Sequence, residues 1–406
     1  MKQRRPKIGF VLAVQAVTIG GFAVALLAAP GAFYDDLPAS VGLGRRPSAL
    51  PIDRRRALRV RPLYDDPGVV SDENLALVLR KVRPTFSRRR LKPNHVEHAL
   101  RTWGVDAVFR DRRALSGREM LGFLIDHARY LQSWNGEADP LLVPQAEGVA
   151  VRWGREPGAS VHHDHLLASL SEAGVRRDEP VFPPDGRAKT FDDLLQQSIR
   201  DFRLDEREVE WSAMAFVLWL PPSTTSWTTS DGRRVDFDAI ARRLMRGDAR
   251  YGTCSGTHRV YSLMLLYRVD ADSPVLSPAT RGSVRRHLAR MRDLIVASQF
   301  PDGHWASNWS LGKASREELI DEPNYKSVIA TGHHLEWLAI APPEFHPNRA
   351  VVRKAARWLV DNIRSKSERE ILDWYTFYSH VGSALALWRK TRPAAFWAKW
   401  RDRDPQ

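Results

Sequence analysis

From residue 72 onward apolar residues recur three and four positions apart, and stretches that alternate apolar with polar are scarce. Three-to-four spacing lines up one face of an α-helix, whereas a half-buried strand needs a period of two. The pattern predicts helices near 72–82, 95–103, 116–133, 163–173, 190–203, 205–219, 235–246, 257–268, 280–299, 325–340, 348–364 and 372–390. Pro183-Pro184-Asp185-Gly186, Pro221-Pro222, Asp302-Gly303 and Pro342-Pro343 punctuate the gaps. The helices differ in character. Those beginning near 257, 325 and 372 are rich in Leu, Ala and Tyr, while 280–299 and 348–364 repeat arginine along one face. Apolar helices suit an inner layer and amphipathic ones an outer layer. The expectation is an all-α fold over 71–406: an α/α toroid of about six helical hairpins, its inner helices all running the same way.

The amino terminus breaks the period. Lys2, Arg4, Arg5 and Lys7 make residues 1–8 a basic flank, and residues 9–30 carry no charge. A membrane-spanning helix needs about 20 such residues, so 9–30 is read as one N-terminal transmembrane signal anchor with the lipid bilayer as partner. The positive flank stays in the cytoplasm, which makes the chain a single-pass cell-membrane protein with an extracytoplasmic body. Residues 31–70, with Pro38, Pro47, Pro51, Pro62 and Pro67 among many arginines, read as a linker.

Charge changes one point. Eighteen basic against seven acidic residues in 1–93 put +11 of the formal +14 in the amino-terminal arm. A body with so little surplus lacks the basic face of a nucleic-acid binder, and no nucleic acid is expected as partner. The single cysteine, Cys254, excludes a disulfide framework and a multi-cysteine zinc module.

Candidate chemistry centres on histidine. Cys254-Ser-Gly-Thr-His258, Thr331-Gly-His333-His334-Leu-Glu336-Trp337 and Tyr378-Ser-His380 each precede or open an apolar helical run, as does Ser160-Val-His162-His163-Asp164-His165. If those helices stand side by side, the imidazoles converge at one end, as a reaction site or as a polar plug. His258, His333, His334 and His380 are the acid–base candidates, with Glu336 beside His333 at i,i+3 to orient it or act as an acid itself. A histidine in the first turn meets the positive helix end, which favours the neutral ring. Cys254 and His258, joined by His333 or His380, would make an open zinc site, so zinc is the one cofactor considered. Trp309, Trp337, Trp374 and Tyr378 fall near the presumed mouth, where they could stack on sugars or isoprenoid chains. His162-His163-Asp164-His165 resembles a metal cluster, but adjacent helical residues point apart. Glu210 reads as a helix-start acid.

Two short resemblances follow from these residues. Gln299-Phe-Pro-Asp302-Gly303-His-Trp305 resembles the Q-x-x-D-G-x-W motif of the α/α-toroid superfamily, the triterpene cyclases and protein prenyltransferases. In that family the Gln ends a helix, the Gly permits a left-handed turn and the Trp packs on the next hairpin. Met291 and Leu294 depart from the longer motif, and the chain has no D-x-D-D or D-D-x-x-D, so the resemblance implies fold rather than protonation-initiated cyclisation. Gly332-His333-His-Leu-Glu336-Trp337 is similar to the G-H-x-x-E-W signature of N-acylglucosamine and cellobiose epimerases, in which the His is an acid/base. Together these lead to a membrane-anchored toroid enzyme using histidine acid–base chemistry on a glycan or isoprenoid-linked small-molecule substrate. The alternatives are a non-catalytic toroid that binds a protein or cell-wall polymer, and a zinc-dependent, prenyltransferase-like site at Cys254.

Overall fold

The computed structural model describes residues 47–247 and 252–401. The basic flank 1–8, the apolar segment 9–30 and the first part of the 31–70 stretch lie outside the described residues. Among the described residues no helix is long and apolar enough to cross a membrane. The protein is mostly helical. In chain order the helices are α1 (Asp72–Lys81), α2 (Pro93–Trp103), α3 (Gly117–Ile125), α4 (His127–Ser133), α5 (His165–Ala173), α6 (Phe191–Asp201), α7 (Glu210–Trp219) and α8 (Phe237–Met245). They continue with α9 (Thr257–Asp272), α10 (Pro278–Ser298), α11 (Ala314–Glu317), α12 (Asn324–Ile340), α13 (Arg349–Ser365), α14 (Glu368–Asp373), α15 (Tyr375–Trp388) and α16 (Pro393–Arg401). Among the described residues three antiparallel two-stranded ribbons interrupt them, pairing Leu142–Pro144 with Val149–Val151, Pro180–Val181 with Lys189–Thr190, and Trp227–Thr228 with Arg234–Val235.

The helix ends follow local chemistry. The Ser71, Asp236, Ser277 and Asn348 side chains accept from backbone N–H groups at their helix starts. Ser116 with Glu119 and Ser367 with Glu370 form reciprocal capping boxes. Pro93 and Pro278 occupy first-turn positions, where a missing N–H costs nothing. The expected 116–133 helix is two, because Asp126 takes an extended conformation (φ −122°, ψ 109°) and its carboxylate caps α4.

Six helices are buried nearly all round: α2, α5, α7, α9, α12 and α15. They pack in a closed cycle in that order, α15 returning to α2. The amphipathic helices cover them from outside, α3 on α2, α6 on α7, α8 and α10 on α9, α13 on α12, and α1 on α15. In α13 the buried residues Val352, Ala355, Ala356, Leu359, Val360 and Ile363 repeat at three and four, the spacing of one buried stripe.

The stretch read as a linker does something specific from residue 50 onward. It lies across the carboxyl ends of the inner helices and satisfies carbonyls that no helix can. Arg54 Nη1 donates to Trp219 O and Leu220 O (3.3 and 2.9 Å), and Leu58 N to Leu218 O (2.8 Å), at the end of α7. Arg56 Nη1 reaches Gly174 O just past α5 (3.0 Å). Leu63 N and Tyr64 Oη donate to Ala339 O and Ala341 O at the end of α12 (3.1 and 2.8 Å), and Asp66 N to Trp388 O at the end of α15 (2.9 Å). The last carbonyls of a helix lack intrahelical donors, so one extended strap closes several helix ends at once. Its contacts also place those carboxyl ends on one side of the molecule, with the amino ends at the opposite mouth.

Candidate functional site

Each inner helix contributes one aromatic ring to a layer across the axis. His98 (α2), His165 (α5), Trp211 (α7), His258 (α9), His333 (α12) and His380 (α15) meet in a closed circuit. The successive ring-centroid distances are 4.5, 4.4, 4.1, 4.0 and 3.9 Å, and 5.2 Å from His380 back to His98. All six are buried.

Carboxylates and carbonyls hold one side of most rings. His333 Nδ1 is 2.7 Å from Glu336 Oε2, and His380 Nδ1 lies 3.3 Å from the same oxygen. His98 Nδ1 donates to Asn94 O at 2.7 Å, and His165 Nδ1 bonds Glu97 Oε2, which also accepts from Ser160 Oγ at 3.1 Å. The other side is bare. His165 Nε2, His333 Nε2, His380 Nε2, Trp211 Nε1 and both nitrogens of His258 have no hydrogen-bond partner. A buried polar atom left unpaired costs about 1–3 kcal/mol. Several in one layer form a group of lone pairs and N–H bonds that the protein itself leaves unused.

Arg101 underlies the layer. Its Nε is 2.5 Å from Glu172 Oε2, its Nη1 3.0 Å from His380 Nδ1 and 3.6 Å from Glu336 Oε1. Tyr261 Oη donates to Glu172 Oε1 at 2.7 Å. Arg101, Glu172, Tyr261 and Glu336 line a small cavity of about 40 Å³ whose floor is Leu58, Arg59 and Val60 of the strap. That is room for a few water molecules.

Burial sets the protonation states. It drives His98, His165, His258 and His380 well below the usual histidine range, each further lowered by neighbouring imidazoles or by Arg101. His333 is lowered less, because its Glu336 bond opposes desolvation. Glu97 moves the other way: burial pushes its carboxyl up to about 8, against the Ser160 bond. The helix-end field expected to keep these rings neutral applies to His165 and His258, in the first turns of α5 and α9. His333 and His380 sit in the middle of α12 and α15, and desolvation is the dominant cause.

The other expected residues divide. His334 points away from the axis, wedged against Trp305 and Trp309, and its Nδ1 accepts from Trp337 Nε1 at 3.1 Å. Trp337 and Trp309 are fully buried packing residues, and Trp309 Nε1 donates to Ser255 O (3.0 Å) beside Cys254. Tyr378 is buried. Trp374, by contrast, is 47% exposed at the mouth and stacks on Tyr325 at 4.3 Å. Cys254 lies in the turn before α9, and its thiol comes within 4.8 Å of ligand atoms of His258 and His333; His333, Glu336 and His380 form a second such group. His162 and His163 stand at the mouth, paired with Glu208 (2.5 Å) and Glu206 (3.1 Å), in a cleft of about 860 Å³ rimmed by exposed Trp153. A neighbouring cleft of about 360 Å³ holds Trp374, and both share Gly154, Arg155 and Val161.

Glu97, His98, Arg101 and Trp211 were not anticipated. The available signal lay in α2, where Glu97 and Arg101 sit four apart. That spacing is also the mark of an exposed ion pair; here both residues are buried. Gln299 behaves as a helix terminator: its Nε2 donates to Gly303 O (2.9 Å) and across to Val351 O (2.8 Å), while Trp305 Nε1 donates to Ile295 O (2.7 Å). The fold and site define a mostly helical protein with a buried polar layer inside a cycle of six helices. No protein-family model matches the chain, and no curated protein or solved structure matches it.

Proposed function

We propose that the chain is an α/α-toroid enzyme, anchored to the membrane by residues 9–30 with its body outside the cytoplasm, whose axial layer transfers protons to and from a glycan or isoprenoid-linked substrate. The observation that carries the reading is the buried contact of Glu97 with His165, itself packed on His98, beside imidazole nitrogens that have no partner; burial pushes the Glu97 carboxyl up to about 8 and holds the imidazoles around it neutral. Titratable groups pushed apart by their surroundings are how one pocket supplies both an acid and a base. Glu97 is the donor, His98 and His165 with His380 are the acceptors, and Glu336 and Arg101 fix the ring orientations. The closed cycle of inner helices supports the toroid, and the exposed Trp153 and Trp374 at the mouth suit a substrate with flat apolar faces.

A non-catalytic toroid with internally satisfied histidines accords less well with the chain, because the inward nitrogens are unsatisfied. The test is turnover of extracted wall glycans and of polyprenyl-linked oligosaccharides, with products read by mass spectrometry. The wild type is expected to convert one fraction, and E97Q and H98N to lose conversion while remaining folded by circular dichroism. No product from either fraction, or full activity in both variants, would sink the reading.

A further inference from the structure

One arc of the axial layer has the composition of a metal site. Cys254 Sγ and a nitrogen each from His258 and His333 lie within 4.8 Å of one another. His258 is fully buried with neither nitrogen partnered, and His333 Nε2 is likewise bare. The thiol is not there by accident of packing. Cys254 and Ser255 take positive φ (51° and 58°), values that non-glycine residues rarely adopt. Three bonds pin that turn: Thr253 N to Glu210 Oε1 (2.7 Å), Thr257 Oγ1 to Cys254 O (2.8 Å) and Trp309 Nε1 to Ser255 O (3.0 Å).

We propose that Cys254, His258 and His333 bind one zinc-class divalent ion, with the fourth position open beside His380. Two imidazoles and one thiolate match the donor softness of Zn²⁺, and three protein ligands with one open position are the arrangement of reactive rather than structural zinc. Bonds of about 2.0–2.3 Å place tetrahedral ligands roughly 3.5 Å apart, a spacing within the 4.8 Å that bounds the three donors here. Glu336 completes the design: its carboxylate on His333 Nδ1 fixes the tautomer that leaves Nε2 free for metal, the usual outer partner of a ligating histidine. The second group, His333 with Glu336 and His380, is the poorer site, because the Arg101 guanidinium lies 3.0 Å from His380 Nδ1 and repels a cation there. This deepens the reading above by saying what the lone pairs of one arc serve, but it does not rest on turnover.

The test therefore reads metal, not activity. The full chain, stripped with chelator and dialysed against Zn²⁺ alone, is expected to retain one equivalent by elemental analysis. Co²⁺ in its place should give a thiolate-to-cobalt absorption band. C254S should lose that band, and H258N and H333N should lose stoichiometric retention. Because Cys254 is the sole cysteine, the unmodified protein gives a second readout that no folding defect can confuse: Zn²⁺ should slow thiol labelling of the folded chain many-fold. A folded wild type that retains no stoichiometric Zn²⁺, or whose Cys254 is labelled at the same rate with and without it, overturns the site. Metal binding without turnover would leave the site standing and count against the enzymatic reading alone.

Discussion

Replacing Glu97 by Gln tests the protonation argument without needing a substrate. Glu97 is wholly buried, touches His165 and Ser160, and has one oxygen without a partner. Burial lifts its carboxyl from 4.5 to about 8. The folded state therefore holds a proton that the unfolded chain gives up between those two values. For an acid raised on folding the contribution is greatest below pH 4.5, falls as pH climbs through the interval, and levels off above 8. From pH 5 to 8 is about three units, and each unit is worth about 1.36 kcal/mol. Wild type should thus lose roughly 4 kcal/mol relative to E97Q between pH 5 and pH 9, since glutamine stays uncharged throughout. At pH 5 the substitution should cost less than about 2 kcal/mol, the scale of one altered hydrogen bond; at pH 9 it should stabilise. Guanidinium unfolding of both proteins at the two pH values measures the difference directly. Parallel stabilities, with a fixed gap at both, would mean that Glu97 is ionised throughout and paired with a His165 imidazolium. The proton donor assigned above would then not exist.

Three further outcomes follow from the geometry. R54A leaves two carbonyls at the end of α7 without their donor and should cost about 1–2 kcal/mol in denaturant unfolding. G303A should cost more than about 2 kcal/mol, because Gly303 sits at φ 110° and a methyl there would meet Lys354 O at 2.5 Å; a near-neutral melting curve would contradict it. For His163 burial alone would lower the pKa, but Asp164 and Glu206 outweigh it and raise it to about 9. Its contribution is fully present below about 6.5 and is lost as pH rises through 9, so H163Q should be about 2–3 kcal/mol less stable than wild type at pH 6 and nearly equal to it at pH 10.

The helices were legible because their stop and start signals are local. Ser71, Pro93 and Ser277 set boundaries within two residues of those expected, and the three-to-four period persists between them. The convergence of His258, His333 and His380 was legible too, since each lies in a run apolar on every side and such a helix must be interior. Other parts were not. Whether Trp309 and Trp337 face a mouth or a core depends on helix rotation, which a heavily apolar sequence does not encode; both turned inward. Glu210 read as a helix-start acid, and only the fold brings Thr253 N to its carboxylate. The strap was illegible for a different reason. Its bonds run from backbone N–H groups and arginines to helix-end carbonyls, and nothing in a proline-rich stretch without period announces its partner.

That strap also accounts for where Arg54 and Arg56 lie. Helices with their carboxyl ends on one side carry dipoles that add instead of cancelling, each equivalent to about half a negative charge at that end. Side by side, such ends repel, and the cost grows with each helix added to the cycle. The strap brings Arg54 and Arg56 directly onto those ends, and Arg59 beneath Glu172. At the mouth, where the amino ends gather, Asp164, Glu208 and Asp373 lie near helix starts, alongside Lys92 at the start of α2. Arg54 and Arg56 are therefore matched to the polarity at the carboxyl ends of the inner cycle. The strap also gives the axis its floor: Leu58, Arg59 and Val60 of the strap line the small pocket onto which Arg101, Glu172 and Glu336 face.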